Sequence, residues 1–136
     1  MKGFTSLKNV QQELTSAKIS CVELVDYYLK EIETKQDLNA FVETFDRSAK
    51  AQAESVDLKI KEGKAGKLAG LIISIKDNIC YKGHGLSASS KMLEGFESLY
   101  SATVVERLLK EDAIIIGRTN CDEFAMGSSN ETSFYG

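Results

Sequence analysis

The stretch from Leu68 to Asn78, LAGLIISIKDN, limits what this chain can fold into more than any other. Leu71, Ile72, Ile73 and Ile75 form a nearly continuous apolar run, with Gly70 before it and Lys76-Asp77-Asn78 after it. A run of that length and β-branched character predicts a buried strand covered on both faces. Lys76 then falls at the strand's C-terminal end, where open α/β sheets place their chemistry. Two readings are open for it. Partial desolvation would lower its pKa and let it act as a base. Alternatively it ends the strand and snorkels its ammonium into water.

The rest of the chain reads as helices and strands around that run. Leu7, Val10 and Leu14 have helical spacing between Thr5 and Lys18, with Thr5 or Ser6 as cap. Ser20 and Glu23 have the capping-box spacing, and Val22, Val25, Leu29 and Ile32 follow as one stripe with Leu24 and Tyr28 beside it. Asn39 to Thr44 predicts a short strand. Asp46 is the expected cap of a third helix, with Ala49, Ala53, Val56 and Ile60 inward and Glu62-Gly63 as its stop. A short helix is expected within Ser87 to Glu94, ended by Gly95, and a further one capped by Ser101 with Val104, Val105, Leu108 and Leu109 apolar. Ala113 to Ile116 is a second buried strand, ended by Gly117. Strand, helix and strand in that order predict a βαβ crossover and a parallel sheet. The fold class is α/β, and the ends of both strands, at Lys76 and at Gly117 to Asn120, lie on one sheet edge. Cys121 to Ala125 predicts one or two helical turns, and Met126 to Tyr135 a polar, turn-prone segment on that same edge.

With 136 residues, 43% of them hydrophobic, the chain can bury one core. A net charge of -3 argues against a basic nucleic-acid footprint. No apolar window is long enough for a membrane span, and no signal-peptide h-region opens the chain. Cys21, Cys80 and Cys121 are widely spaced, without a C-x-x-C pair, so neither a zinc site nor a disulfide framework is expected. They read as reduced, half-buried thiols of a cytoplasmic protein. His84, the single histidine, lies in a glycine-flanked loop and reads as solvent-exposed rather than as the base of a Ser-His-Asp triad. Asp122 and Glu123 are adjacent, so their side chains diverge. No S-x-x-K pair occurs, and any serine acting with Lys76 must come from a distant part of the chain. Ser128 and Ser129 are the internal candidates, with a turn role as the alternative.

LAGLIISIKDN, SASSKMLEGFES, SATVVERLL and AIIIGRTNCDEFAMGSSNETSFYG together resemble the N-terminal part of the amidase signature family. The likeness spans nearly the whole chain and is strongest after Leu68. KDN followed by T-N-x-D-E-F-A-M-G-S-S is the specific combination. Within the family, GRTNCDEFAMGSSNE is most similar to glutamine-hydrolysing subunits of tRNA-dependent amidotransferases. Three departures stand out: the family's G-I-P-I is Gly70-Leu-Ile-Ile73 here, its T-T-C-A-S is Leu86 to Ser90, and its Met before D-E-F is Cys121.

The resemblance implies a mixed, largely parallel sheet flanked by helices. Residues 1–66 would form a helical lead-in and residues 67–136 the start of the signature core of a single amidase domain. It implies a Ser-cisSer-Lys triad in which Lys76 is the lysine, a base toward a relay serine that activates the nucleophile. Met126, Gly127, Ser128 and Ser129 would line the substrate's acyl pocket. The family's serine motifs, of the kinds G-G-S-S-G-G-S and D-T-G-G-S, lie downstream of the Tyr-Gly at which this sequence stops, so the 136 residues alone are expected to be inactive. The implied reaction is hydrolysis of glutamine, supplying ammonia for Glu-tRNA(Gln) or Asp-tRNA(Asn). The implied partners are the B and C subunits of the amidotransferase, with mischarged tRNA reached through the complex and no membrane. No cofactor is implied in this polypeptide, ATP and Mg2+ being expected on the partner. A stand-alone amidase and a non-catalytic scaffold are the alternatives. One physical difficulty accompanies Lys76: the neighbouring Asp77 would hold it charged unless its side chain points to the opposite face.

Overall fold

The computed structural model describes residues 4–136. Helix α1 spans Leu7–Thr15, capped by Ser6, whose hydroxyl accepts from the Asn9 amide at 3.2 Å. Helix α2 spans Cys21–Thr34, and its capping box forms as the spacing requires: the Glu23 amide donates to Ser20 Oγ, and Ser20 N–H donates to the Glu23 carboxylate. Strand β1 is Phe41–Thr44, and helix α3 is Asp46–Lys61. Strand β2 (Ile72–Lys76), helix α4 (Thr103–Lys110) and strand β3 (Ile114–Thr119) complete the order.

The three strands form one sheet in the order β1-β3-β2, with β3 in the centre. β2 and β3 are parallel, the pairing expected of strands joined through a helix, and β1 runs antiparallel to β3. Alternation along β3 sends neighbouring side chains to opposite faces. Ile114 joins Val10, Leu14, Leu24, Val25, Ala49, Ala53 and Val56, where α1, α2 and α3 pack. Ile115 joins Phe45, Ile75 and Val105, where α4 covers the other face. The sheet is therefore a layer between helices, an α/β architecture. Among the described residues no helix is long and apolar enough to cross a membrane.

Several local details differ from the sequence expectations. The buried stripe of α2 runs through Cys21, Leu24 and Val25, which pack with Ala49, Ala53 and Val56 of α3, with Val22 and Leu29 partly buried beside them. Asp46 does not cap α3. It is the first helical residue, while Phe45 occupies the cap position without a side-chain bond and buries its ring beneath α4. Ser101 does not cap α4 either. Ala102 holds that position, and Ser101 Oγ instead accepts from the Lys82 amide at 3.1 Å. Val104 faces solvent and Val105 the core.

Strand β2 is not covered on both faces. It pairs with β3 alone, leaving Ser74 and Lys76 exposed while Ile75 is buried. Strand β3, by contrast, does not stop at Gly117 but continues to Thr119. The glycine marks a close approach: a Cβ there would lie 2.5 Å from the Glu43 carbonyl oxygen of β1. The helix expected within Ser87–Glu94 is reduced to a 3-10 turn, Lys91–Leu93, because Ala88 and Ser89 have positive φ of 47° and 50°. The helical turns expected over Cys121–Ala125 shrink likewise to Glu123–Ala125, with Phe124 at φ 53°.

Candidate functional site

Lys76 closes β2 opposite Thr119 of β3, so the sheet itself fixes its backbone. Its side chain is exposed and forms no ion pair among the described residues. Asp77 follows on the opposite face and is 1% exposed. Its amide continues the ladder by donating to the Thr119 carbonyl at 3.0 Å. The expected divergence of the two side chains thus holds, and it follows from strand alternation.

Asp77 is the centre of a buried polar network. One carboxylate oxygen accepts from the Ser87 amide at 3.1 Å. The other accepts from Ser87 Oγ at 2.6 Å and from the Ser89 amide at 2.7 Å. Arg118, on β3, donates from Nη1 to Asp77 and from Nε to Glu43 of β1 at 2.9 Å. Burial works against the guanidinium charge, but its bonds and attraction to Asp77 and Glu43 outweigh this and raise its pKa. Arg118 therefore ties the ends of all three strands together.

The loop Ser87–Ser90 is folded over this carboxylate, and its three serines reach different partners. Ser87 Oγ accepts from the Tyr135 hydroxyl at 3.0 Å. Ser89 Oγ donates to Asn120 Oδ1 and accepts from the Cys121 amide, each at 3.1 Å. Ser90 Oγ donates to Glu123 at 2.6 Å. The Phe134 amide donates to the Ser89 carbonyl at 2.9 Å, which brings the last described residues back to this loop. The expectation that residues 126–135 gather at the same sheet edge as the end of β2 is met at Phe134 and Tyr135, through these bonds.

A second carboxylate shapes the segment just before them. Asp122 accepts from the Asn130 amide at 3.0 Å, from the Thr132 amide at 3.4 Å and from Thr132 Oγ1 at 3.1 Å. The Asn130 amide bond is the largest of the influences that hold its pKa below the usual carboxylate value. Gly127 lies directly against this group, since a Cβ there would fall 2.6 Å from Asp122 Oδ1. Met126 is 82% exposed and does not pack the turn onto the sheet. The backbone is left-handed at Phe124 and Ala125, just before Met126. Ser128 and Ser129 are exposed, and Ser129 Oγ donates to Glu131 at 2.8 Å rather than accepting from a turn amide. Among the described contacts, none of these four residues is hydrogen-bonded to Lys76. Asp122 and Glu123 diverge, one to the 130–132 loop and the other to Ser90, as adjacent residues should.

His84 is not a free loop residue. Its ring stacks on Tyr81 at 3.9 Å and 7°, its Nε2 lies 2.8 Å from Ser48 Oγ, and its Nδ1 lies 3.0 Å from the Lys82 carbonyl. It fastens the loop to α3. Cys21 and Cys121 are buried, Cys80 is partly so, and all three are free thiols. Burial, followed by the nearby Asp57 carboxylate, pushes the Cys21 thiol up to about 12. Among the described residues no three His, Cys, Asp or Glu side chains converge to hold a metal. A groove of about 740 Å³ between the end of α2, β1 and β2 does not include Lys76.

The sequence pattern singles out Lys76 and the 126–129 segment as candidates, but does not show Asp77, Ser87, Ser89, Arg118 and Asn120 as one connected group. The available signal was modest: a buried-strand end followed by a short serine-rich loop. What the arrangement offers chemically is a primary amine on a sheet-fixed backbone, next in sequence to a buried, charge-matched carboxylate on the opposite face.

The profile of the family described as Amidase matches residues 23–136. The chain is 46% identical over 98% of its length to the A subunit of the glutamyl-tRNA(Gln) amidotransferase of Chlorobaculum parvum, of which it spans 28%. Among solved structures, native peptide amidase from Stenotrophomonas maltophilia superposes with a TM-score of 0.84 at 28% identity, over 94% of this chain and 27% of that one. A structure described as a vestigial protein complex revealing the origins of an s-triazine catabolic enzyme superposes with a TM-score of 0.89 at 27% identity, over 97% of this chain and 30% of that one. The chain thus spans little more than a quarter of the length of the curated relatives it matches.

Proposed function

This chain belongs to the amidase family, and from that footing we propose that it is the N-terminal part of the glutamine-hydrolysing A subunit of a tRNA-dependent amidotransferase. The observation that carries this is the 46% identity, over nearly the whole chain, to the A subunit of a glutamyl-tRNA(Gln) amidotransferase. In this reading residues 1–66 lead into an amidase core that begins at residue 67 and continues in sequence corresponding to the remainder of those relatives. Lys76 is the base, and the relay and nucleophilic serines come from that remainder. The neutral amine takes the proton of the relay hydroxyl, which takes that of the nucleophile. The nucleophile adds to the side-chain amide of glutamine, ammonia leaves with a returned proton, and water releases glutamate.

The base role asks for an amine with little water around it. Lys76 is open on the face where β2 has no covering element, so its enclosure falls to the rest of the domain. Met126, Gly127, Ser128 and Ser129 line the acyl pocket in this account, on a loop whose shape Asp122 sets. The ammonia goes to Glu-tRNA(Gln) or Asp-tRNA(Asn), held with ATP and Mg2+ by a B subunit, with a C subunit completing a cytoplasmic complex.

A second reading, a stand-alone amidase with another amide substrate, draws support from the superposition on peptide amidase. The two separate in one assay on the full-length protein. Addition of ATP, mischarged tRNA and a B subunit should yield amidated tRNA from glutamine under the first reading. Amide hydrolysis that is indifferent to tRNA and to the B subunit would support the second.

A further inference from the structure

We infer that Arg118 is a positioning residue that electrically insulates the amine of Lys76 from the carboxylate of Asp77. This rests on the reading of Lys76 as a base. The two side chains leave consecutive residues of one strand end. A carboxylate that close, left unmatched, favours the ammonium form and so works against a base that must be neutral. Strand alternation alone does not remove the problem, because a charge buried in a poorly polarisable interior is felt on both faces of a single strand.

Asp77 is 1% exposed, so water does little to screen it. What matches its charge is the guanidinium of Arg118, placed by β3, itself joined to Glu43 of β1 at 2.9 Å. The remaining partners of Asp77 are neutral donors: the Ser87 amide and hydroxyl and the Ser89 amide. On the Lys76 side, its β3 partner is Thr119, also neutral. The charged groups facing Asp77 from the packed elements are therefore Arg118 and, beyond it, Glu43. Glu43 is half-exposed and draws on the far edge of the guanidinium. An arginine suits this position because its planar, fixed fork can serve two carboxylates from one strand.

The test uses the full-length protein that carries this sequence and the pH profile of glutamine hydrolysis. The acidic limb of kcat reports the group that must lose a proton. Arg118→Gln leaves Asp77 unmatched, so the limb should move up by about one pH unit. Asp77→Asn removes the buried negative charge while Arg118 stays paired with Glu43, so the limb should move down. The pair Asp77→Asn/Arg118→Gln should return the limb toward the wild-type position, a crossing that loss of packing alone would not produce. Arg118→Lys keeps the charge and should leave the limb in place; if Arg118→Gln does not fold, Asp77→Asn and Arg118→Lys carry the test.

A Lys76→Ala control keeps the two claims apart. If Lys76→Ala abolishes turnover but every folded Arg118 and Asp77 variant keeps the wild-type limb, the insulation is wrong and the base assignment stands. If Lys76→Ala turns over normally, the base assignment fails and this inference fails with it.

Discussion

Between α2 and α3 the buried positions are Cys21, Leu24, Val25, Ala49, Ala53 and Val56, all apolar and all at helical intervals. Past Lys76 the buried positions include Asp77, Ser87, Ser89, Ser90 and Asp122, none of which repeats at any interval. Both regions exclude water, but by different means. The helical half gains from area removed from water, which is tolerant of geometry. The polar half rests on donors and acceptors meeting partners, where the loss of one partner leaves another unsatisfied. Among the described residues, every buried side-chain nitrogen and oxygen has a partner. A site that must hold a few groups in fixed directions benefits from the second kind of order, and Lys76 stands at the border between the two.

This contrast can be broken by substitution. Arg118→Ala removes the cation from a buried pair and should cost about 3 to 5 kcal/mol in denaturant unfolding of the full-length protein. Its hydrogen-exchange losses should concentrate in residues 77–90 and 118–135. A cost under about 1 kcal/mol would mean that the network does not hold that region. Leu24→Ala, in the apolar half, should cost about 3 kcal/mol, with exchange losses in α1, α2 and α3. Losses spread evenly over both regions would erase the distinction.

Smaller effects sharpen the same comparison. Ser20→Ala removes the α2 capping box and should lower stability by about 1 kcal/mol, with fraying confined to the first turn. The acid response of Asp122 should be the mildest. Its folded pKa is depressed, so its contribution is fully present above the ordinary carboxylate value and is lost as pH falls through the lower, folded value. The amide signals of Asn130 and Thr132 should therefore move only below pH of about 3.9. Movement above that would show that the carboxylate does not organise the 130–132 loop.

How much of this could be read from residues alone follows the same division. The capping box of α2, the inward alanines of α3 and the βαβ pairing all rest on local spacing, which the chain displays directly. Lys76 at the strand end and the opposite direction of Asp77 follow from a period of two. Gly117 was misleading because its reason is non-local: β1 comes so close that no side chain fits, and the strand continues regardless. Phe45 displaced Asp46 as the cap because a tertiary pocket decided the matter. His84 has a partner on α3 that no local pattern could indicate. The Ser87–Ser90 loop is the largest omission, since a left-handed turn at Ala88 and Ser89 folds it onto a carboxylate ten residues back. Its outline is visible only once the sheet has placed Asp77.

The claim on which the rest depends is that Lys76 is a base. In the full-length protein, glutamine hydrolysis by Lys76→Ala should be measured alongside its unfolding midpoint. The Lys76→Ala protein should still unfold in one cooperative transition, because the Lys76 backbone is held by β3 rather than by its side chain, while turnover falls by about a thousandfold or more. A folded Lys76→Ala protein that hydrolyses glutamine at close to the wild-type rate would contradict the account.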